Sequence, residues 1–122
     1  MSVFRLAIVG SRKFTNYALM KEILDPHLIQ IGEIVSGGAY GADTLAQRYA
    51  QENGIPIMIY YPNYRRHAKK KAPILRNLRI ARYCDRMVAF AYSDSKGTRH
   101  VIREAQRLKK GVLVIELKEA DR

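Results

Sequence analysis

The sequence predicts an α/β fold: a five-stranded parallel sheet with helices on both faces, in a single domain over residues 1–122. Two observations point there. Short, largely apolar runs alternate strictly with amphipathic stretches along the chain, and strands lacking polar alternation are buried on both sides, as in parallel sheets. Small residues also recur just after several of these runs, where right-handed crossovers need strand-to-helix turns.

Residues 4–9 (FRLAIV) are mostly apolar and closed by Gly10, which reads as a buried strand. Over 17–30, Leu19, Met20, Ile23, Leu24 and Leu28 fall near helical spacing; Thr15 or Asn16 caps this helix and Pro26 kinks it or ends its first part. Residues 33–36 form a short second strand. Over 42–53, Ala42, Leu45, Ala46, Tyr49 and Ala50 make a one-sided stripe that Asn53-Gly54 stops. Residues 56–60 (PIMIY) are a third strand, its proline placed first, where no ladder N–H is lost. A basic connection leads to a helix over 73–84, with Ile74, Leu75, Leu78 and Ala81 expected inward. Residues 86–91 (RMVAFA) are the fourth strand. Residues 97–110 are a helix with Val101, Ile102, Ala105 and Leu108 as its stripe, and 112–117 (VLVIEL) are the fifth strand.

Composition narrows the class. With 122 residues, 48% hydrophobic and 27% charged, the chain can bury a core without staples. One cysteine excludes an intramolecular disulfide and a cysteine-ligated zinc site. No apolar run is long enough to span a bilayer and the N-terminus does not read as a secretory leader, so a cytoplasmic protein with no membrane partner is expected. The net charge of +11 is lopsided: residues 1–61 hold five basic and five acidic side chains, residues 62–122 hold 17 and six. Arg65, Arg66, Lys69, Lys70, Lys71, Arg76, Arg79 and Arg82 run without an acidic residue between them. Such a block attracts a polyanion or serves as a solvated surface.

All strand C-terminal ends of a parallel sheet lie on one edge, and ligands bind there. Three loops on that edge are rich in small residues: Gly10-Ser11-Arg12, Ser36-Gly37-Gly38-Ala39-Tyr40-Gly41-Ala42-Asp43, and Ser95-Lys96-Gly97-Thr98. Glycines admit close backbone approach, and helix N-termini offer free N–H groups to an anion. One such loop only shapes a turn; three together favour a phosphate-bearing ligand. Neither G-x-G-x-x-G nor G-x-x-x-x-G-K-[ST] is present, which disfavours a conventional NAD enzyme and excludes a P-loop NTPase.

These three loops, with Arg76-Asn77 and Asp85 in the same order, resemble the YspA-like branch of the SLOG superfamily, which also holds the DNA-processing protein DprA and the LOG phosphoribohydrolases. The resemblance spans almost the entire chain and implies a Rossmann-like fold with a site for a nucleotide-derived ligand. It places Gly10, Ser11, Arg12, Ser36, Gly37, Gly38, Ala39, Gly41 and Asp43 in that site, joined by Arg76, Asn77, Lys96, Gly97 and Thr98. The LOG glutamate after Gly-Thr is replaced by Val101, and the Pro-Gly-Gly run by Ser93-Asp94-Ser95-Lys96.

Three functions follow as expectations. The first is a nucleotide-binding sensor or processor, with Arg12 and Arg76 neutralising the phosphate. The second, of DprA type, is a single-stranded nucleic-acid module using Arg65, Arg66, Lys69, Lys70, Lys71 and Arg79, with Tyr61, Tyr64 or Tyr40 stacking on bases. The third is a nucleoside-phosphate hydrolase with Asp43 or Asp94 in place of the missing glutamate. Asp43 opens a helix, whose N-terminus stabilises the ionised carboxylate, so holding a ribose hydroxyl is expected over proton transfer. No catalytic residue, cofactor or metal is assigned; His27, His67 and His100 show no metal spacing. Relatives commonly pair through helices, so a homo-oligomer is expected.

Overall fold

A computed structural model describes residues 3–119. The elements alternate as β1 (Phe4–Gly10), α1 (Tyr17–Leu24), a 3₁₀ turn (Asp25–Gln30), β2 (Ile31–Ser36), α2 (Ala42–Glu52), β3 (Ile57–Ile59), α3 (Lys71–Tyr83), β4 (Arg86–Ala91), α4 (Lys96–Arg107) and β5 (Gly111–Glu116). The five strands pair in parallel in the order β3-β2-β1-β4-β5. Their direction of winding reverses between β1 and β4, so the C-terminal ends of these two strands flank the switch point.

Strand periodicity divides the core in two. In β1, Leu6 and Ile8 join Phe14, Met20, Ile34, Tyr49 and Phe90 on the α1–α2 side. Ala7 and Val9 point the other way, to Val35, Ile80, Ala89, Val101 and Ala105 under α3 and α4. Burying each large aliphatic chain contributes about 1.5–3 kcal/mol. Tyr49 is fully buried, and its hydroxyl donates to Asp25 Oδ1 at 2.8 Å, so no polar group is stranded there. Asn16 caps α1, its Oδ1 accepting the Leu19 N–H at 3.0 Å. The proline at position 26 ends that helix by turning the backbone into a 3₁₀ segment.

Two expectations need correction. The second strand starts at Ile31, two residues before the sequence pattern suggests, because Phe4 pairs with Ile31 and extends the ladder. In α3 the expected inward face of Ile74, Leu75, Leu78 and Ala81 holds fully only at Ala81: Leu75 and Leu78 are half-buried, Ile74 is exposed, and Ala72, Asn77 and Ile80 are buried with Ala81. The i, i+3, i+4, i+7 face through Pro73, Arg76, Asn77 and Ile80 lines the sheet edge, so the helix is turned to present Arg76 and Asn77 there.

Candidate functional site

A cleft of about 300 Å³ opens at the switch point. Four segments line it: Val9–Lys13 at the end of β1 and in the loop after it, Gly37, Ala39 and Asp43 around the start of α2, Arg76 and Asn77 on α3, and Asp94, Ser95, Gly97 and Thr98 around the start of α4. These segments are distant in sequence and meet only because parallel strands end on one edge.

The first two loops are locked to each other. The Ser11 N–H donates to the Phe90 carbonyl at 2.9 Å, and Phe14 stacks on Phe90 with centroids 4.8 Å apart. The Ser11 carbonyl accepts the Ala42 N–H at 3.1 Å, which satisfies one of the free donors at the start of α2. Gly10 has no room for a side chain: a Cβ would lie 2.5 Å from the Phe90 carbonyl oxygen and 2.7 Å from the Ala42 Cβ. The Ser11 hydroxyl accepts the Lys13 N–H at 3.1 Å, holding its own turn.

The start of α4 is more open. Its N-cap, Ser95, makes no capping bond and instead accepts the Tyr92 N–H on its hydroxyl at 3.0 Å. The loop is braced from behind by Arg99, which pairs with both Glu116 oxygens at 2.6 and 2.7 Å and donates to the Tyr92 carbonyl at 3.0 Å. Uncapped first-turn N–H groups beside Gly97 and Thr98 suit an anion.

Arg76 sits where the segments converge. It donates from Nη1 to the Gly37 carbonyl and from Nε to Asn77 Oδ1, the latter at 2.9 Å. Asn77 in turn sends Nδ2 toward the Gly97 carbonyl (3.5 Å) and His100 Nδ1 (3.3 Å), bridging α3 to α4. Asp43 is 6% exposed, and its Oδ2 accepts the Ala39 N–H at 3.0 Å. Gly37 lies between the two charges: a Cβ there would stand 2.7 Å from Arg76 Nη1 and 3.0 Å from Asp43 Oδ2.

Burial dominates the electrostatics. Desolvation pushes the Asp43 pKa up, outweighing the Ala39 N–H and the Arg76 charge that pull it down. The expectation that the helix N-terminus keeps Asp43 a weak base is therefore corrected: burial wins. Desolvation also lowers the Arg76 pKa, and Arg12 adds repulsion to it. The fully buried Ser36 hydroxyl helps hold the Asp43 charge through a contact outside normal hydrogen-bond geometry.

A raised pKa in the folded state means that Asp43 favours folding at acid pH, below its ordinary value of 3.8. That contribution is lost as pH rises through the folded value. Asp43→Asn is therefore expected to gain stability relative to the parent as pH rises from about 4 toward neutrality. Urea unfolding of both proteins across that range checks this; a pH-independent difference contradicts it.

Of the residues singled out in the sequence, Gly10, Ser11, Arg12, Gly37, Ala39, Asp43, Arg76, Asn77, Gly97 and Thr98 line the cleft, as does Asp94. Ser36 lies beneath it, Gly41 packs on the Ser11 and Arg12 backbone, and the Lys96 side chain is exposed outside it. Gly38 lines a neighbouring cleft with Tyr40, Tyr61 and Tyr64. Arg65, Arg66, Lys69, Lys70 and Lys71 are exposed on the β3–α3 connection and the first residue of α3, while Arg79 sits over the Tyr60 ring at 4.7 Å. Lys13 and His100 were not singled out as ligand residues; a basic residue two places after Gly-Ser was the available signal for Lys13. Asp85 accepts the Arg5 N–H at 2.8 Å at the far end of the sheet. Cys84 is buried, and burial pushes its thiol pKa up. Among the described residues no three His, Cys, Asp or Glu side chains converge as metal ligands, and no helix is long and apolar enough to cross a membrane.

This fold and edge cleft define an α/β protein of Rossmann-like type. Residues 4–67 match the family described as YspA, cpYpsA-related SLOG (YAcAr), and the chain belongs to that family. The Gene 61 protein of Mycobacterium phage D29 is 36% identical over 120 residues, covering 91% of this chain and 94% of that protein. DNA processing protein A from Streptococcus pneumoniae superposes with a TM-score of 0.78 at 20% identity. That match covers 98% of this chain and 52% of the other, so the chain spans about half the pneumococcal protein. The Helicobacter pylori protein, solved to describe its single-stranded DNA binding mode, matches with a TM-score of 0.72 at 21% identity, over 98% of this chain and 68% of its own. At these identities the two structures establish a shared fold.

Proposed function

We propose that this protein binds a nucleotide or nucleotide-derived small molecule in the edge cleft, as a cytoplasmic sensor or processor. The observation that supports this most is the convergence of three small-residue loops with the Arg76–Asn77 pair on one cleft. A phosphate there meets the uncapped start of α4 and the guanidinium groups of Arg12 and Arg76. Asp43 lines the cleft, but one of its oxygens is committed to the Ala39 N–H. It thus serves the loop first, and binding without rapid base release is expected. The test is calorimetry against a broad panel of nucleotides. If no member binds, the proposal fails; release of free base from AMP, GMP, CMP or UMP at roughly 1–10³ s⁻¹ would make the protein a hydrolase instead.

A second reading, single-stranded nucleic-acid binding, is favoured by the exposed basic run beside the cleft and by the likeness to the Helicobacter protein. In this reading affinity falls steeply with salt, because each phosphate contact releases counterions. The Lys69/Lys70/Lys71→Glu triple variant is expected to lose most binding to single strands and to flatten the salt dependence. Unchanged affinity in filter binding would remove these lysines from any nucleic-acid role.

A further inference from the structure

A second cleft of about 350 Å³ adjoins the first. Tyr40, Tyr61, Pro62 and Tyr64 form its far side, and it shares Arg12, Gly37, Ala39 and Arg76 with the edge cleft. The two are lobes of one groove, and both arginines stand at the junction. Arg12 adds a small repulsion to Arg76, whose charge is partly balanced by the buried Asp43. An anion between the two arginines relieves the repulsion and meets two planar donor groups.

The tyrosine lobe contains a prepared surface. Gly38 has φ +73°, and a Cβ built there would lie 2.4 and 2.6 Å from Tyr61 Cε1 and Cδ1. The ring of Tyr61 therefore rests directly against the loop backbone. Tyr61 nevertheless stays 63% exposed. A ring supported on one side and open on the other can stack a planar base with little loss of side-chain freedom. The glycine does two things at once: it takes a backbone conformation unusual for other residues and leaves room for the ring.

We propose that the ligand carries two nucleosides joined through phosphate. One base stacks on Tyr61, the bridging phosphate meets Arg12, Arg76 and the start of α4, and the second nucleoside fills the rest of the edge cleft. This rests on the nucleotide reading of that cleft and extends it. In this arrangement a mononucleotide occupies one lobe and leaves the other to water. The same chemistry occurs in a free dinucleotide and in an internal link of a single strand.

The experiment is calorimetry at low salt with AMP, the dinucleotide ApA, diadenosine diphosphate and the twelve-mer (dA)12. At least one bridged ligand is expected to bind tenfold or more tightly than AMP. Tyr61→Ala should remove that advantage and Tyr61→Phe should keep it, with melting curves confirming that both variants fold. A preference for the dinucleotides identifies a small molecule, and a preference for (dA)12 identifies a strand; each supports the bridged chemistry. If AMP binds as tightly as every bridged ligand, or if Tyr61→Ala leaves the bridged affinity unchanged, the two-lobe assignment is overturned while the cleft reading stands. If nothing binds, the cleft reading itself falls.

Discussion

Arg76→Ala is expected to remove most nucleotide affinity and to weaken the fold at the same time. Loss of a charged hydrogen bond to ligand costs on the order of 1.5–3 kcal/mol, roughly a ten- to hundredfold rise in Kd. The second effect is internal. Arg76 supplies donors to the Gly37 carbonyl and to Asn77 Oδ1, and its charge joins the Ala39 N–H in pulling the Asp43 pKa down. Removing it leaves acceptors unmatched and a buried carboxylate less compensated, at about 1–3 kcal/mol for an unsatisfied group. Arg76→Lys restores charge without the planar fork, so it should recover part of the stability and little of the affinity. Calorimetry below the melting temperature and urea unfolding separate the two effects. Affinity equal to the parent's would take Arg76 out of the site.

Gly41→Ala is expected to destabilise more than any other single methyl added to these loops. Gly41 has φ +71° and ψ −121°, outside the small left-handed basin open to other residues. A Cβ would stand 2.4 Å from the Ser11 carbonyl oxygen and 2.5 Å from the Arg12 carbonyl carbon and oxygen. All of these are backbone atoms, so no side chain can swing aside. Strain and overlap together should cost about 3 kcal/mol or more, a large part of the ~5–15 kcal/mol that holds a domain. Gly97→Ala is the control: nothing lies within 4 Å of its Cβ position, so it should be nearly neutral. Urea unfolding of the pair measures the contrast, and similar midpoints would mean that the first two loops are not locked as described.

Local chemistry was readable from the amino-acid order. Apolar runs with period two or none became strands, helical stripes became α1, α2 and α4, and Asn16 and Pro26 marked the start and end of α1. The parallel alternation then put the glycine loops on one edge, because crossover handedness leaves no other arrangement. What spacing along the chain does not encode is burial. The inward face of α3 follows from which row meets the sheet edge, and Ile74 ended outside although it is apolar. The ionisation of Asp43 turns on the same quantity. A carboxylate in the first turn of a helix is stabilised by the dipole when solvated, but here desolvation is the larger effect and reverses the direction. The Tyr61 surface on Gly38 likewise exists only once β2 and β3 lie side by side and their two loops are pressed together. Period and turn chemistry act between near neighbours in sequence; solvent exclusion acts between near neighbours in space, and only folding brings those together.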